Sequence, residues 1–337
     1  MRGPALQGGG RYNAAMTGII RFHETGGPDV LRWESIELGE PGRGEVRLRH
    51  GAVGVNFIDV YERNGLYQKQ LPATLGKEAA GVIEAVGPGV KQLKVGDRVT
   101  YAQGSGGYSE ARVMSADDLV KLPDSVDDRT AAASTLKGLT AQMLLRQVYK
   151  VKKGDALLVH AAAGGVGSIL VQWARHLGAT VIAIVGSAAK ADMVKELGAQ
   201  HALLSDDDWV AQAKAITGGR GVAVAYDSVG KDTFMKSLDT IRTRGLMVSY
   251  GNASGAPPAI SPLELSKRGS LYLTRPTMFH FTSTRPALTK AANELFDLMG
   301  RGVLKVQIGQ TYPLKEAARA HADLEARRTT GSTVLLP

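Results

Sequence analysis

The segment Leu157-Leu158-Val159-His160-Ala161-Ala162-Ala163-Gly164-Gly165-Val166-Gly167 limits the fold of this chain more than any other. An apolar strand pattern runs into a glycine turn. The turn opens an apolar helix pattern, Ser168-Ile169-Leu170-Val171-Gln172-Trp173-Ala174. Such a turn gathers backbone N–H groups at the positive end of a helix dipole, which suits a pyrophosphate. Glycine lets the backbone approach a ligand with no Cβ in the way. The usual G-x-G-x-x-G pattern here reads Ala162-Ala163-Gly164-Gly165-Val166-Gly167, with alanine in the first place. A second apolar run, Thr180 to Val185, follows at the spacing of a strand–helix–strand unit, which lifts the pattern above a bare glycine motif. The bland alternative is a strand-to-helix turn with no ligand.

The end of that second run bears on which dinucleotide is bound. An NAD site commonly places Asp or Glu about 20 residues beyond the glycines, on the ribose 2′-OH. This chain has Gly186-Ser187-Ala188-Ala189-Lys190 there. A 2′-phosphate meets no acid at the strand end, and Lys190 offers a cation one helical turn on. NADPH is therefore the expected cofactor, against the plainer reading of Lys190 as a solvated surface lysine.

Beyond residue 130 strands and helices alternate. Strands are expected at 156–160, 180–185, 201–204, 222–226, 245–250 and 270–274, and helices at 166–177, 188–197, 207–216 and 231–240. That alternation marks a parallel sheet with helices on both faces. Before it, residues 17–125 read as short strands separated by turns such as Gly87-Pro88-Gly89 and Gly104-Ser105-Gly106-Gly107, the texture of a small β-barrel or sandwich. Residues 130–145 have helical period. Two amphipathic helices, about 286–301 and 314–327, and a strand from Ser332 to Leu336 are expected to return to the first domain.

A chain of 337 residues with 44% apolar and 22% charged residues has enough core for about two domains. No apolar run reaches membrane-spanning length. The net charge of +9 permits weak attraction to polyanions. Lys and Arg are scattered, however, with pairs such as Lys152-Lys153 and Arg327-Arg328 the longest groups, so no nucleic-acid partner is expected. With no cysteine, disulfides and thiolate chemistry are excluded, and a cytoplasmic location fits. Residues 1–15 are expected to be a disordered leader, vector-derived or mis-assigned, with Met16 the natural start.

Several motifs agree with one another: Asn56-Phe57-Ile58-Asp59 with Tyr61, Gly76-Lys77-Glu78-Ala79-Ala80-Gly81, Val95-Gly96-Asp97-Arg98-Val99, Leu136-Lys137-Gly138-Leu139-Thr140, Tyr226-Asp227-Ser228-Val229-Gly230 and Gly251-Asn252-Ala253-Ser254-Gly255. Together with the glycine turn they resemble the medium-chain dehydrogenase/reductase superfamily, and within it the zinc-free NADPH:quinone oxidoreductases, zeta-crystallin-like and of bacterial type. The resemblance runs from about Met16 to Pro337. It implies a GroES-like catalytic domain (16–138 and 283–337), a Rossmann NADPH-binding domain (139–282) and a cleft between them. It also implies a homodimer joined through the strand near Leu271-Tyr272-Leu273-Thr274.

The zinc members of that superfamily ligate metal with a cysteine near position 56 and the His of a Gly-His-Glu motif. Here Val55-Asn56-Phe57 and Gly76-Lys77-Glu78 stand there, and the seven histidines show no ligand spacing. No metal is expected, and the acceptor must then be easy to reduce without a Lewis acid.

By resemblance, Asn56, Asp59, Tyr61 and Tyr67 lie near the cleft. Asn56 and Tyr61 would donate to the acceptor oxygen or fix the nicotinamide carboxamide, and Tyr67 would stack on a flat ring. Cofactor contacts are expected from Thr140, from Gly164, Gly165, Val166 and Gly167 at the pyrophosphate, and from Gly186, Ser187 and Lys190 at the 2′-phosphate. Asn252 and Ser254 are expected on the nicotinamide side, with Arg327 as a second phosphate contact. Ser205 stands where bacterial relatives tend to carry a tyrosine, so stacking at the adenosine phosphate is expected to be weaker. The quinone substrate competes with two other readings: a 2-alkenal or enone reduced by the same scaffold, and RNA bound through the nucleotide pocket.

Overall fold

The computed structural model describes residues 15–337. The expected leader lies outside the described residues except for Ala15, where the first strand begins.

The first domain opens with β1 (Ala15–Phe22), β2 (Arg32–Leu38) and β3 (Glu45–Val55), followed by a short helix, α1 (Phe57–Arg63). Next come β4 (Ala73–Thr74), β5 (Glu78–Val86), β6 (Arg98–Tyr101), β7 (Ala111–Ser115) and β8 (Val120–Lys121). Alternate residues of β3 turn inward in its first half, where Val46, Leu48 and His50 are buried, as expected of a strand with one wet face.

Helix α2 (Asp128–Gln142) then crosses between domains. Asp127 starts it by accepting the Thr130 N–H at 2.8 Å. Its last turns loosen into a π-helical stretch, Met143–Val148. The boundary expected between 138 and 139 therefore falls inside a continuous helix, not a linker.

The second domain alternates as read from the sequence. Its elements are β9 (Ala156–Val159), α3 (Gly165–His176), β10 (Thr180–Val185), α4 (Ala188–Glu196), β11 (His201–Leu204) and α5 (Trp209–Ile216). They continue with β12 (Val222–Asp227), α6 (Phe234–Asp239), β13 (Ile241–Ser249), α7 (Leu263–Lys267) and β14 (Tyr272–Thr274). The six strands form one parallel sheet in the order β11-β10-β9-β12-β13-β14. All six residues of β12 are buried, because helices cover both faces. Helix α5 starts at 209, not 207, because Asp208 takes the capping place and accepts the Ala211 N–H at 3.1 Å.

The tail supplies α8 (Met278–Phe281), α9 (Arg285–Gly300), β15 (Ile308–Pro313), α10 (Ala317–Glu325) and β16 (Ser332–Leu336). Strand β16 pairs antiparallel with β3, so the C-terminus joins the first domain's seven-stranded sheet. A tight 3-10 turn, Leu314–Glu316, precedes α10, and Arg327 follows it at a φ of 58°, so the helix is shorter than the 314–327 expected. Leu335 enters the first domain's core, while Val334 packs into the core around α2, α3 and α9.

Candidate active site

Two cross-domain contacts on one side define a cleft. Helix α1 presents Phe57, Val60 and Tyr61, with Asn64 just past its end, to a cavity of about 640 Å³, whose other wall includes Asn252 and Ala253. The Tyr61 hydroxyl accepts the backbone N–H of Asn252 at 2.9 Å. The Tyr67 hydroxyl accepts from Arg275 Nη2 at 3.2 Å, and the Tyr61 and Tyr67 rings meet edge to face at 5.4 Å. Arg275 also donates to the Gly251 carbonyl at 3.1 Å. The Asn252 amide is satisfied when its oxygen accepts from Arg275 at 3.1 Å and its nitrogen donates to Gly251 O at 2.8 Å. Burial pushes the Tyr61 hydroxyl up to about 12, so it remains a neutral donor across the neutral range.

Asp59 departs from the sequence expectation. It is fully buried beneath α1, not exposed to the cleft. Its carboxyl accepts the N–H of Asn56 at 2.9 Å, the N–H of Gly76 at 3.1 Å and the Tyr108 hydroxyl at 3.2 Å. As the third helical residue it caps α1 from inside. Burial raises it to about 7 despite those donors. Asp59 is therefore a positioning residue for α1. The opposite end of α1 is fastened by Arg63, which grips Glu325 of α10 with two hydrogen bonds of 2.8 Å and donates to His321 Nδ1 at 3.1 Å. Since His321 Nδ1 accepts, its Nε2 carries the proton toward the Tyr108 hydroxyl, 2.9 Å away.

Asn56 sits at the mouth of α1 and donates from Nδ2 to Glu78 Oε2 at 2.9 Å. The same carboxylate oxygen takes Lys137 Nζ at 2.7 Å, and Glu78 Oε1 accepts the Leu136 N–H at 2.7 Å. Glu78 and Lys137 are both buried. The Lys137 stem passes under the glycine turn: a Cβ on Gly165 would lie 2.6 Å from Lys137 Cδ. One buried ion pair thus ties the cap of α1 to the start of α3. Both residues lie in motifs quoted above, but pairing them requires the fold.

The glycine turn fits a pyrophosphate. Gly164 caps α3 without a side chain, Gly165 and Val166 open the helix, and a Cβ on Gly167 would meet Ala162 Cα at 2.6 Å. Ala161, just before the pattern, takes a φ of 48°. Past β10, Ser187 caps α4 by accepting the Lys190 N–H at 3.3 Å. Lys190 Nζ donates to the Arg327 carbonyl at 3.3 Å, and a Cβ on Gly186 would be 3.9 Å from Ser205 Oγ. The structure therefore gathers Gly186, Ser187, Lys190, Ser205 and Arg327 in one place. Ser205 Oγ donates to Asp206 at 3.3 Å, so an acid borders this place that the strand-end reading overlooked.

Two expected cofactor contacts have their hydroxyls committed elsewhere. Thr140 donates to the Leu136 carbonyl of its own helix at 2.8 Å. Ser254 donates to the Val229 carbonyl at 2.9 Å and accepts the Asp232 N–H at 3.1 Å, which pins the loop beside Asn252. Arg275 was missed entirely, because a surface-patterned arginine after a strand carries no signal before the cleft closes around it.

A metal does not fit the place where zinc relatives hold one. Asn56 donates its amide N–H₂ to Glu78, and Lys77 puts an ammonium on Glu62. Among the described residues, no three His, Asp or Glu side chains converge.

Comparison with known proteins follows the two domains. Residues 42–124 match the alcohol dehydrogenase GroES-like domain, and residues 165–298 match the zinc-binding dehydrogenase family. A quinone oxidoreductase of Pseudomonas aeruginosa is 50% identical over 321 residues, 94% of this chain and 99% of that protein. A 2-haloacrylate reductase of Burkholderia sp is 48% identical over 325 residues, 94% of this chain and 98% of that one. The crystal structure of Escherichia coli quinone oxidoreductase complexed with NADPH superposes with a TM-score of 0.93 at 48% identity, covering 96% of this chain and all of that one.

Proposed function

The chain belongs to the quinone oxidoreductase family, and from that premise we propose that it reduces quinones with NADPH, without metal, in the cleft between its domains. The Tyr61–Asn252 contact carries this reading. Its hydroxyl accepts the Asn252 N–H and keeps its own proton for a carbonyl oxygen in the cavity. A quinone gains negative charge on oxygen as it is reduced, so a neutral donor there stabilises the developing charge. NADPH, when bound, supplies the reducing equivalents as hydride. The protein's share is orientation: Gly164, Gly165 and Gly167 cradle the pyrophosphate, and Lys190 with Arg327 meets the 2′-phosphate. Solvent supplies the remaining proton.

Steady-state NADPH oxidation with 1,4-benzoquinone and with a 2-alkenal tests the assignment. Faster turnover of the quinone supports it, and faster turnover of the alkenal overturns it. The alkenal reading stays in the test because a relative 48% identical is a 2-haloacrylate reductase, and a 2-haloacrylate carries an activated C=C bond. The RNA-binding reading comes from the resemblance and is permitted by the net charge of +9, and it takes second place because Lys and Arg are scattered along the sequence.

A homodimer belongs to the same proposal. Strand β14 lies at the edge of the parallel sheet, with Tyr272 62% and Leu273 39% exposed. An apolar, unpaired edge of this kind favours pairing with a second copy. A cytoplasmic location belongs to the same reading.

A further inference from the structure

We propose that Lys69, Lys77, Ser105 and Arg112 form an anion-binding subsite beside the cleft, which selects electron acceptors that carry an acidic substituent. The proposal rests on the quinone-reductase reading and adds the charge class of the acceptor.

The cluster is built around Glu62, one residue beyond Tyr61 on α1 and only 6% exposed. Lys77 Nζ lies 2.8 Å from its Oε1 and Lys69 Nζ 3.0 Å from its Oε2. One lysine would neutralise Glu62, yet two ammonium groups share it. Both also donate to Ser105 Oγ, Lys77 at 3.1 Å. Arg112 reaches the same Gly104–Gly107 loop: its guanidinium lies over the Tyr101 ring at 5.2 Å, its Nη2 would be 3.4 Å from a Cβ on Gly104, and its Cζ would be 3.7 Å from a Cβ on Gly106, which Thr74, a Lys69 partner, would meet at 3.6 Å. Arg112 Nη1 is buried and has no hydrogen-bond partner among the described residues. A buried charged donor left unpaired is costly, and an acceptor brought in by a ligand removes that cost. Asp118 offsets part of the Arg112 charge, and Asp59 senses both Glu62 and Lys77. Lys69, Lys77 and Arg112 thus outnumber Glu62 and Asp118 by one while Asp59, raised by burial to about 7, holds its proton.

The position suits an acceptor held in the cleft. Leu66, three residues before Lys69, lines the cavity, and Tyr67 between them meets Arg275 of the second domain. Gln103, two residues before Ser105, donates to the Thr282 carbonyl across the domain boundary at 3.2 Å. Along the chain, Lys69 thus follows the cavity-lining residues Asn64, Gly65 and Leu66, and Ser105 follows the residue that touches the second domain. It is not sealed: the Lys69 and Lys77 side chains keep 17% and 14% exposure, and Gly104 is exposed.

The experiment compares kcat/KM for 1,4-naphthoquinone-2-sulfonate with that for 1,4-naphthoquinone, using the full chain and NADPH. In Lys77→Met the ratio of anionic to neutral acceptor is expected to fall about tenfold, the scale of one charge-assisted hydrogen bond. In Glu62→Gln, which unmasks both lysines, the ratio is expected to rise. A test on the unaltered protein guards against misfolded variants: its ratio is expected to fall severalfold between about 20 and about 300 mM salt, as screening weakens the attraction. A ratio that stays within twofold across both variants and the salt series, with the neutral quinone still turned over, overturns the subsite alone. Turnover of neither acceptor overturns the quinone reading and the subsite's role with it.

Discussion

Tyr61 of the first domain and Asn252 of the second are joined by a 2.9 Å hydrogen bond from the Asn252 backbone N–H to the tyrosine oxygen. Both residues are buried, and both line the cavity. The bond fixes the donor that a bound carbonyl would meet. Tyr61→Phe is expected to lower kcat/KM for 1,4-benzoquinone by about tenfold, since it removes the donor and leaves a buried N–H unpaired. Steady-state kinetics with a thermal melt alongside checks this. A loss of thermal stability with unchanged kinetics would make the tyrosine purely structural.

Glu78 and Lys137 make a buried pair between residues 59 apart in the sequence. Lys137→Met strands a buried carboxylate and is expected to destabilise by about 3–5 kcal/mol. The double variant Glu78→Gln with Lys137→Met is expected to recover most of that loss. Urea unfolding of the three proteins is the measurement, and a double variant no better than the single one would contradict the pairing.

Gly165 and Gly167 differ in what a methyl would strike. At Gly165 it meets the flexible stem of Lys137 at 2.6 Å, whereas at Gly167 it meets the backbone of Ala162 at 2.6 Å. A lysine stem can move, but a packed turn cannot. Gly167→Ala is therefore expected to weaken NADPH binding more than Gly165→Ala does. Calorimetric titration of both variants with NADPH decides the order.

Two buried groups of the α1 network give opposite pH slopes. Burial, then the Arg63 charge, lowers His321 to about 3 from its ordinary 6.5. The unfolded chain then binds a proton that the fold refuses, so this contribution to stability is complete above pH 6.5 and is lost as pH falls toward 3. Asp59, raised by burial from 3.8 to about 7, behaves oppositely: its contribution is complete below pH 3.8 and is lost as pH rises toward 7. Between about pH 4 and 6.5, His321→Gln is expected to lower the slope of unfolding free energy against pH by about 1.4 kcal/mol per unit, and Asp59→Asn to raise it by a similar amount. Urea melts across that range show whether the two signs differ.

The parts of this protein that repeat locally were legible in its sequence. The six parallel strands and the glycine turn announce themselves because strand and helix periods alternate over short distances and β10 and β12 each hold an unbroken apolar run, Val181–Val185 and Val222–Ala225. Helix α1 left no such trace. It has seven residues, and it is held by long-range partners: Gly76 on Asp59 at one end and Glu325 on Arg63 at the other. For the same reason Asp59 was mistaken for a cleft residue. Its place beside Tyr61 in sequence says nothing of a side chain that turns inward on a helix. Glu78, Lys137 and Arg275 were invisible as a set because each finds its partner far away in the sequence, and Arg275 finds Tyr67 across the domain boundary.

The 2′-phosphate place offers the most direct test of the whole proposal. Steady-state kinetics with 1,4-benzoquinone should be measured with NADPH and with NADH, in the unaltered chain and in Lys190→Glu. The unaltered chain is expected to prefer NADPH, and Lys190→Glu to raise KM for NADPH by about tenfold or more while moving KM for NADH far less. Equal shifts for the two coenzymes, or an unaltered chain that works better with NADH, would contradict it.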